Sequence, residues 1–308
     1  MAIYSLRFAS MGCPCEARVE GLRVTAAREA LQAAKNEVHR LDLKYSNYRP
    51  GNWLDRLLHQ ARRQRGVEVD AETAALLDLA DALHRQSGGR FDLGAEPLAR
   101  LWQTRKTLPR DEELATALKQ AGWHRVRWQD GRLRLPAGMR LDFGALVKEY
   151  AADRAALVLR RAGARSGLVD LGGDLHVLGP HAGGSAWRAG IRSPAQRETA
   201  VVTLGIRRGG LATSGDYERC SLIDGRRYGH IVDATTGWPV HGLASASVIA
   251  PSCLLAGAVS TLALLLPADA GLRHLERSGL DWLAIDAEGR LHGPLAAAAM
   301  AVRHRATA

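Results

Sequence analysis

The sequence predicts an α+β fold in one domain across residues 1–308, and three observations lead to it. Short segments with period-two alternation come in runs, first at about 3–9 and 14–20 and again between about 167 and 206. Long stretches with Ala, Leu and Val at helical spacing return between those runs, the first from about Val24 to Leu43. No repeat, low-complexity tract or long linker divides the chain. At 308 residues and 46% hydrophobic, it is long enough to bury a large core.

The elements follow in order. Two strands precede the Val24–Leu43 helix, and Lys44 to Gly51 is a polar, aromatic segment closed by Pro50-Gly51. A short helix near Trp53–Gln60 comes next, then a long one at about Ala71–Gln86 that stops at Gly88-Gly89. Gly89-Arg90-Phe91-Asp92-Leu93-Gly94 forms a turn before a short helix, Glu96–Trp102, and 110–121 is a further helix. Residues 124–142 read as three short strands turning at Asp130-Gly131 and Pro136-Ala137-Gly138. Leu141-Asp142-Phe143-Gly144 opens a helix to about Ala162, and strands follow at 167–171, 175–179, 186–191 and 199–206. Leu211 to Pro239 alternates on both sides of Asp224-Gly225, a strong hairpin signal. A strand at Ala246–Ala250 leads into a helix from Ser252 to Leu266. The tail carries one more helix, a strand near Trp282–Ile285 and a terminal Ala-rich helix.

A formal charge of +10 suggests an anionic partner such as a phosphate-bearing cofactor. Only five residues are lysine and the arginines are scattered, with no basic run interleaved with aromatics, so no nucleic-acid partner is expected. The first twenty residues lack a basic start followed by an apolar run, and the longest apolar stretch, Cys253 to Leu266, is too short to span a bilayer. With no signal peptide and no transmembrane segment, the expectation is a cytoplasmic protein. Cys13, Cys15, Cys220 and Cys253 form no disulfide or zinc framework, and free thiols are expected; the two thiolates of Cys13-Pro14-Cys15 are too few for a structural metal.

Three junctions carry candidate chemistry. At Asp142 to Lys148 a helix N-terminus beside a glycine suits a phosphate, and Lys148, one turn in, adds a point charge for a pyrophosphate. The same residues also suit a plain helix capped by Asp142 with a solvated Lys148. Leu171-Gly172-Gly173-Asp174 permits close backbone approach, or merely a bulge. The Leu211–Pro239 stretch brings Thr213, Ser214, His230 and Asp233 to the ends of its hairpin. That is a platform for acid–base work, or an ordinary surface hairpin of turn formers.

Seven motifs in this order resemble the ApbE-type FAD:protein FMN transferases, the flavin transferases. They are Met11-Gly12, Ser46-Asn47-Tyr48-Arg49, Gly89-Arg90-Phe91-Asp92 with Pro97-Leu98 and Leu101-Trp102, LDFGALVKEYAAD (141–153), VDLGGDLHVLG (169–179), LATSGDY (211–217) and GHIVDATTGWPV (229–240). Together they cover most of residues 1–265. The resemblance implies a T-fold-like α+β architecture with mixed or antiparallel sheets and long packing helices, and an FAD site in a central cleft. It implies transfer of FMN from FAD to a Ser or Thr hydroxyl of an acceptor flavoprotein with release of AMP, assisted by a divalent metal, usually magnesium (Mg2+). Carried over by position, Met11, Tyr48, Phe91, Asp92, Asp142 and Lys148 would contact FAD. His230 would act as base on the acceptor hydroxyl beside Thr213 and Ser214, and Thr261 with a carbonyl near Ala145 would hold the metal.

The chain departs from the family pattern in four places. Gly257 stands where the family carries an Asp four residues before the Thr that matches Thr261, and Lys148 is followed by Glu149 instead of Gly. Cys13 replaces a Thr after Met-Gly, and the export signal of most relatives is not seen. Magnesium wants near-octahedral oxygen ligands including a carboxylate or two, so Thr261 and a carbonyl alone predict weak or FAD-dependent metal binding. The alternative reading is therefore an FAD-binding protein of the same fold that has lost metal-dependent cleavage.

Overall fold

The alternation of the first twenty residues becomes a hairpin. β1 (Ile3–Ser10) and β2 (Cys13–Glu20) pair antiparallel across the two-residue turn Met11-Gly12, where φ is 53° and 71°. Two successive positive φ values match the right-handed twist of the flanking strands. The computed structural model describes residues 2–103, 105–194, 200–216 and 220–296. Its next elements are α1 (Val24–Tyr45), α2 (Trp53–Arg63), β3 (Val67–Glu68), α3 (Ala71–Gln86), α4 (Glu96–Trp102), α5 (Asp111–Gln120), β4 (Arg127–Gln129), β5 (Arg132–Arg134) and α6 (Gly144–Arg161). Then come β6 (Ser166–Leu171), β7 (Asp174–Gly179), β8 (Trp187–Arg192), β9 (Ala200–Ile206), β10 (Gly209–Gly215), β11 (Cys220–Ile223) and β12 (Arg226–Gly229). The last are β13 (Leu243–Ala250), α7 (Cys253–Leu265), α8 (Ala268–Arg277), β14 (Asp281–Asp286) and β15 (Leu291–His292).

Eight strands form the main sheet in the order β1-β2-β6-β7-β10-β13-β14-β15, and every neighbouring pair is antiparallel. Three helices cover one face in matching order: α1 packs on β1 and β2, α6 on β6 and β7, and α7 on β10 and β13. The sequence explains the burial. α1 buries Ala27, Ala30, Leu31, Ala34, Val38 and Leu41, an apolar stripe at three- and four-residue spacing. α6 turns Ala151, Ala152, Ala155 and Ala156 inward, so its neighbours approach closely. α7 is apolar nearly all round because helix and sheet enclose it on several sides. The β8–β9 hairpin closes over the opposite face, where Trp187, Ile191 and Leu204 meet Leu168, Val177 and Leu211.

Two expectations need correction. Residues 124–142 hold two strands, not three. Pro136 lacks the N–H for a third ladder, and the chain turns there with Met139 N–H donating to the Pro136 carbonyl at 3.3 Å. The Leu211–Pro239 stretch is not one platform: β10 lies inside the main sheet, while β11 and β12 pair only with each other across Asp224-Gly225. β3 and β15, of two residues each, are too short to show a period. The expected terminal Ala-rich helix falls largely on residues 297–308, and the Tyr217 motif position on 217–219, outside the described residues. No helix among the described residues is long and apolar enough to cross a membrane.

Glu72 ties three helices together. It accepts from Arg40 Nη2 at 2.6 Å and Lys44 Nζ at 2.8 Å on α1, and from the Tyr150 hydroxyl at 3.2 Å on α6. Burial opposes its charge, but Arg40 and Lys44 outweigh burial and bring it from 4.5 down to about 2. A folded-state pKa below the unfolded one gives stability that is complete above about pH 4.5 and lost as pH falls towards 2. Glu72→Gln should therefore cost about 1 kcal/mol at pH 7, after allowance for solvent screening. In urea melts the gap from wild type should close by pH 2; an equal gap at pH 7 and pH 2 would refute the ionic origin.

Candidate active site

The site is set by how α7 docks on α6. Asp153 of α6 accepts the Cys253 N–H at 2.7 Å and the Leu254 N–H at 3.0 Å, so a carboxylate sits on the positive end of α7. His176 Nδ1 lies 2.6 Å from the Asp153 oxygen that accepts the Cys253 N–H. This contact fixes the mutual register of the two helices. One turn back along α6 is Glu149, and one turn forward along α7 is Gly257. A Cβ built on Gly257 would lie 2.7 Å from Glu149 Cγ and 3.0 Å from its Oε1. One turn further along each helix stand Ala145 and Thr261, and both line the same cleft.

The cleft, about 1740 Å³ in volume, opens beside this helix pair. On its floor Ser214 Oγ lies 2.9 Å from both Ser260 Oγ and Thr261 Oγ1, and the Ser260 hydroxyl donates to the Gly257 carbonyl at 3.1 Å. Successive residues of β10 point to opposite sides, so Thr213 turns the other way and meets Ser247 Oγ, its partner in register on β13, at 2.8 Å. Asp174 accepts the Thr213 N–H at 3.2 Å and pairs with Lys148 Nζ at 2.6 Å. Burial alone would lower the Lys148 pKa; the charges of Asp174 and Glu149 overcome it and raise it. Glu149 is pushed up to about 8 by burial and then by Asp174. Its Oε2 is buried and, among the described residues, has no hydrogen-bond partner.

The start of α6 differs from its expected form. Phe143, not Asp142, is the N-cap residue. Asp142 Oδ1 accepts the Gly144 N–H at 2.8 Å, and the Phe143 carbonyl accepts those of Leu146 and Val147, each at 2.9 Å. Three of the first amides are thus already taken, and what this helix start offers an anion is its dipole and Lys148 more than a row of open donors. The 89–94 turn is similarly self-contained. Asp92 accepts the Gly94 and Trp123 N–H groups, each at 2.6 Å, so its carboxylate shapes the loop, and burial raises its pKa. The Phe91 residue is buried beside it.

The rim is built from the remaining positions. Met11 sits on the β1–β2 turn and Tyr48 is 84% exposed on the loop after α1. His230 follows β12 and is exposed to the cleft. Its loop is fastened to α4 by Trp102, whose indole N–H donates to the Gly237 carbonyl at 2.8 Å and whose ring stacks on Tyr228. Arg90 pairs with Asp233 at 3.2 Å, joining that loop to the 89–94 turn. All seven sequence motifs contribute lining residues to this one cleft.

A family model described as the ApbE family matches residues 11–284. The chain belongs to the ApbE family. It is 33% identical over 289 residues to the FAD:protein FMN transferase of Treponema pallidum, covering 85% of this chain and 78% of that one. The ApbE protein of Thermotoga maritima has a solved structure that superposes with a TM-score of 0.86 at 28% identity, covering 95% of this chain and 97% of the other. A flavin transferase ApbE from Vibrio cholerae superposes at 0.84 with 23% identity, with coverage of 95% and 97%, which speaks to the fold.

All eleven residues singled out from the sequence line this one cavity, while Glu149, Asp153 and Ser260 were not singled out as site residues. Among the described residues no group of three or more His, Cys, Asp or Glu side chains is disposed to hold a metal. A signal for Glu149 was present. It falls on the buried stripe of α6 with Leu146, Ala152 and Ala156, where a carboxylate has no structural reason to be. Cys13 and Cys15 Sγ lie 3.9 Å apart.

Proposed function

We propose that this protein transfers the FMN half of FAD to a Ser or Thr hydroxyl of an acceptor flavoprotein and releases AMP. The observation that carries this reading is the convergence of motifs spread from Met11 to Thr261 on one cleft, in a chain of the ApbE family. The acceptor hydroxyl oxygen attacks the FMN-side phosphorus of FAD, and the bond to the bridging diphosphate oxygen breaks. His230 takes the hydroxyl proton, and AMP departs with the bridging oxygen. Such a transfer depends on holding the reactants in line and on neutralising charge on the phosphate oxygens.

In this scheme Lys148 and the α6 dipole face the diphosphate. Tyr48 and Met11 border the flavin, and the 89–94 turn, held by Asp92, shapes the wall beside it. Ser214 lines the floor with a hydroxyl already held by Ser260 and Thr261, and Thr213 borders the cleft with its hydroxyl held by Ser247. A magnesium ion held near Thr261 and the Ala145 carbonyl would add positive charge where the diphosphate breaks. The test is incubation with FAD, Mg2+ and a candidate acceptor, with AMP and protein-bound flavin measured together. Equimolar appearance of both supports the reading. Tight FAD binding without AMP release would leave a flavin-binding protein instead.

A further inference from the structure

A buried carboxylate oxygen with no donor in reach is costly unless a cation meets it. Glu149 is such a group: it is 8% exposed, lines the cleft, and its Oε2 has no hydrogen-bond partner among the described residues. Lys148, the cation that lowers the Glu149 pKa, is engaged with Asp174 at 2.6 Å. Across from Glu149 the facing helix has no side chain at all, because Glu149 Cγ occupies the space a Cβ at position 257 would need.

We propose that Glu149 is the carboxylate ligand of a divalent-cation site on the cleft floor, reaching across from α6 into the space left by Gly257. The two departures in the sequence are then one exchange. A carboxylate has moved from α7 to α6, and a glycine has moved from α6 to α7. The donors that line the cleft one turn from this pair are hard oxygens. Thr261 Oγ1 and Ser214 Oγ lie 2.9 Å apart one turn along α7 from Gly257, and Ala145 is one turn along α6 from Glu149. Oxygen-only donors with a single carboxylate select Mg2+ or Mn2+ and leave positions for water and for phosphate oxygens. The proposal rests on the transferase reading only for the identity of that phosphate. It revises the expectation that Thr261 and a carbonyl are the only protein ligands left. It also means that Gly257→Asp alone would add no useful ligand, since its side chain would collide with Glu149.

The test uses Mn2+ as probe, with ADP supplying a diphosphate, and free Mn2+ read by electron paramagnetic resonance. Glu149→Gln keeps the shape and removes the charge; it should weaken Mn2+ binding about tenfold or more. Flavin fluorescence in EDTA should show FAD affinity little changed. The exchange variant Glu149→Gly/Gly257→Asp should bring Mn2+ binding back towards wild type. Wild-type Mn2+ affinity in Glu149→Gln, or no Mn2+ binding by the unaltered protein with ADP, overturns the proposal. An exchange variant that melts like wild type yet fails to recover Mn2+ binding overturns the link to position 257. Flavin transfer is read separately. Glu149-dependent Mn2+ binding without AMP release keeps the cation site and removes the transferase; AMP release by both proteins, with Mn2+ binding unchanged in Glu149→Gln, does the reverse.

Discussion

His230→Ala is expected to lower covalent flavin transfer about a hundredfold or more while FAD affinity stays close to wild type. A group that accepts a proton only as the hydroxyl attacks contributes to the transition state and little to the bound ground state. The side chain is exposed, and the surrounding backbone is pinned by contacts made elsewhere in the loop. Val240 N–H donates to the Ile231 carbonyl at 3.0 Å, Asp233 N–H to the Trp238 carbonyl at 2.9 Å, and Arg90 pairs with Asp233. Single-turnover formation of bound flavin separates the two effects. Transfer at the wild-type rate would remove His230 from the proton path, and a parallel loss of FAD affinity would reassign it to binding.

Lys148→Met should cost about 3–5 kcal/mol of folding stability, measured by urea unfolding in EDTA without FAD. The methionine keeps most of the length of the chain but removes the ammonium that lies 2.6 Å from the Asp174 carboxylate, which is 3% exposed. Glu149 lies near the same charge and cannot relieve it. If loss of this ion pair is the cause, Lys148→Met/Asp174→Asn should regain most of the loss. An asparagine carbonyl still accepts the Thr213 N–H that Asp174 accepts at 3.2 Å. A loss under about 1 kcal/mol in the single variant would show that water reaches Asp174 and that the pair behaves like a surface one. FAD affinity should fall in both variants, since each lacks the lysine facing the diphosphate.

What the sequence determined by itself was local. Helices α1, α3, α6 and α7 and the hairpins at Met11-Gly12 and Asp224-Gly225 were legible, because periodicity and turn chemistry act over a few neighbouring residues. The motif order likewise named the residues that line the cleft. Tertiary structure alone decided which of those groups remain open to a ligand. Asp142 and Asp92 look like free carboxylates in the sequence, yet both are turned back onto backbone N–H groups of their own loops or a neighbouring one. Gly257 and Glu149 look like two unrelated losses. They become one complementary pair only when Asp153 clamps the start of α7 and sets the helices in register. The physical reason is that pairing between distant helices depends on side-chain volume and buried charge across a packed interface, and neither leaves a period in the sequence of either helix.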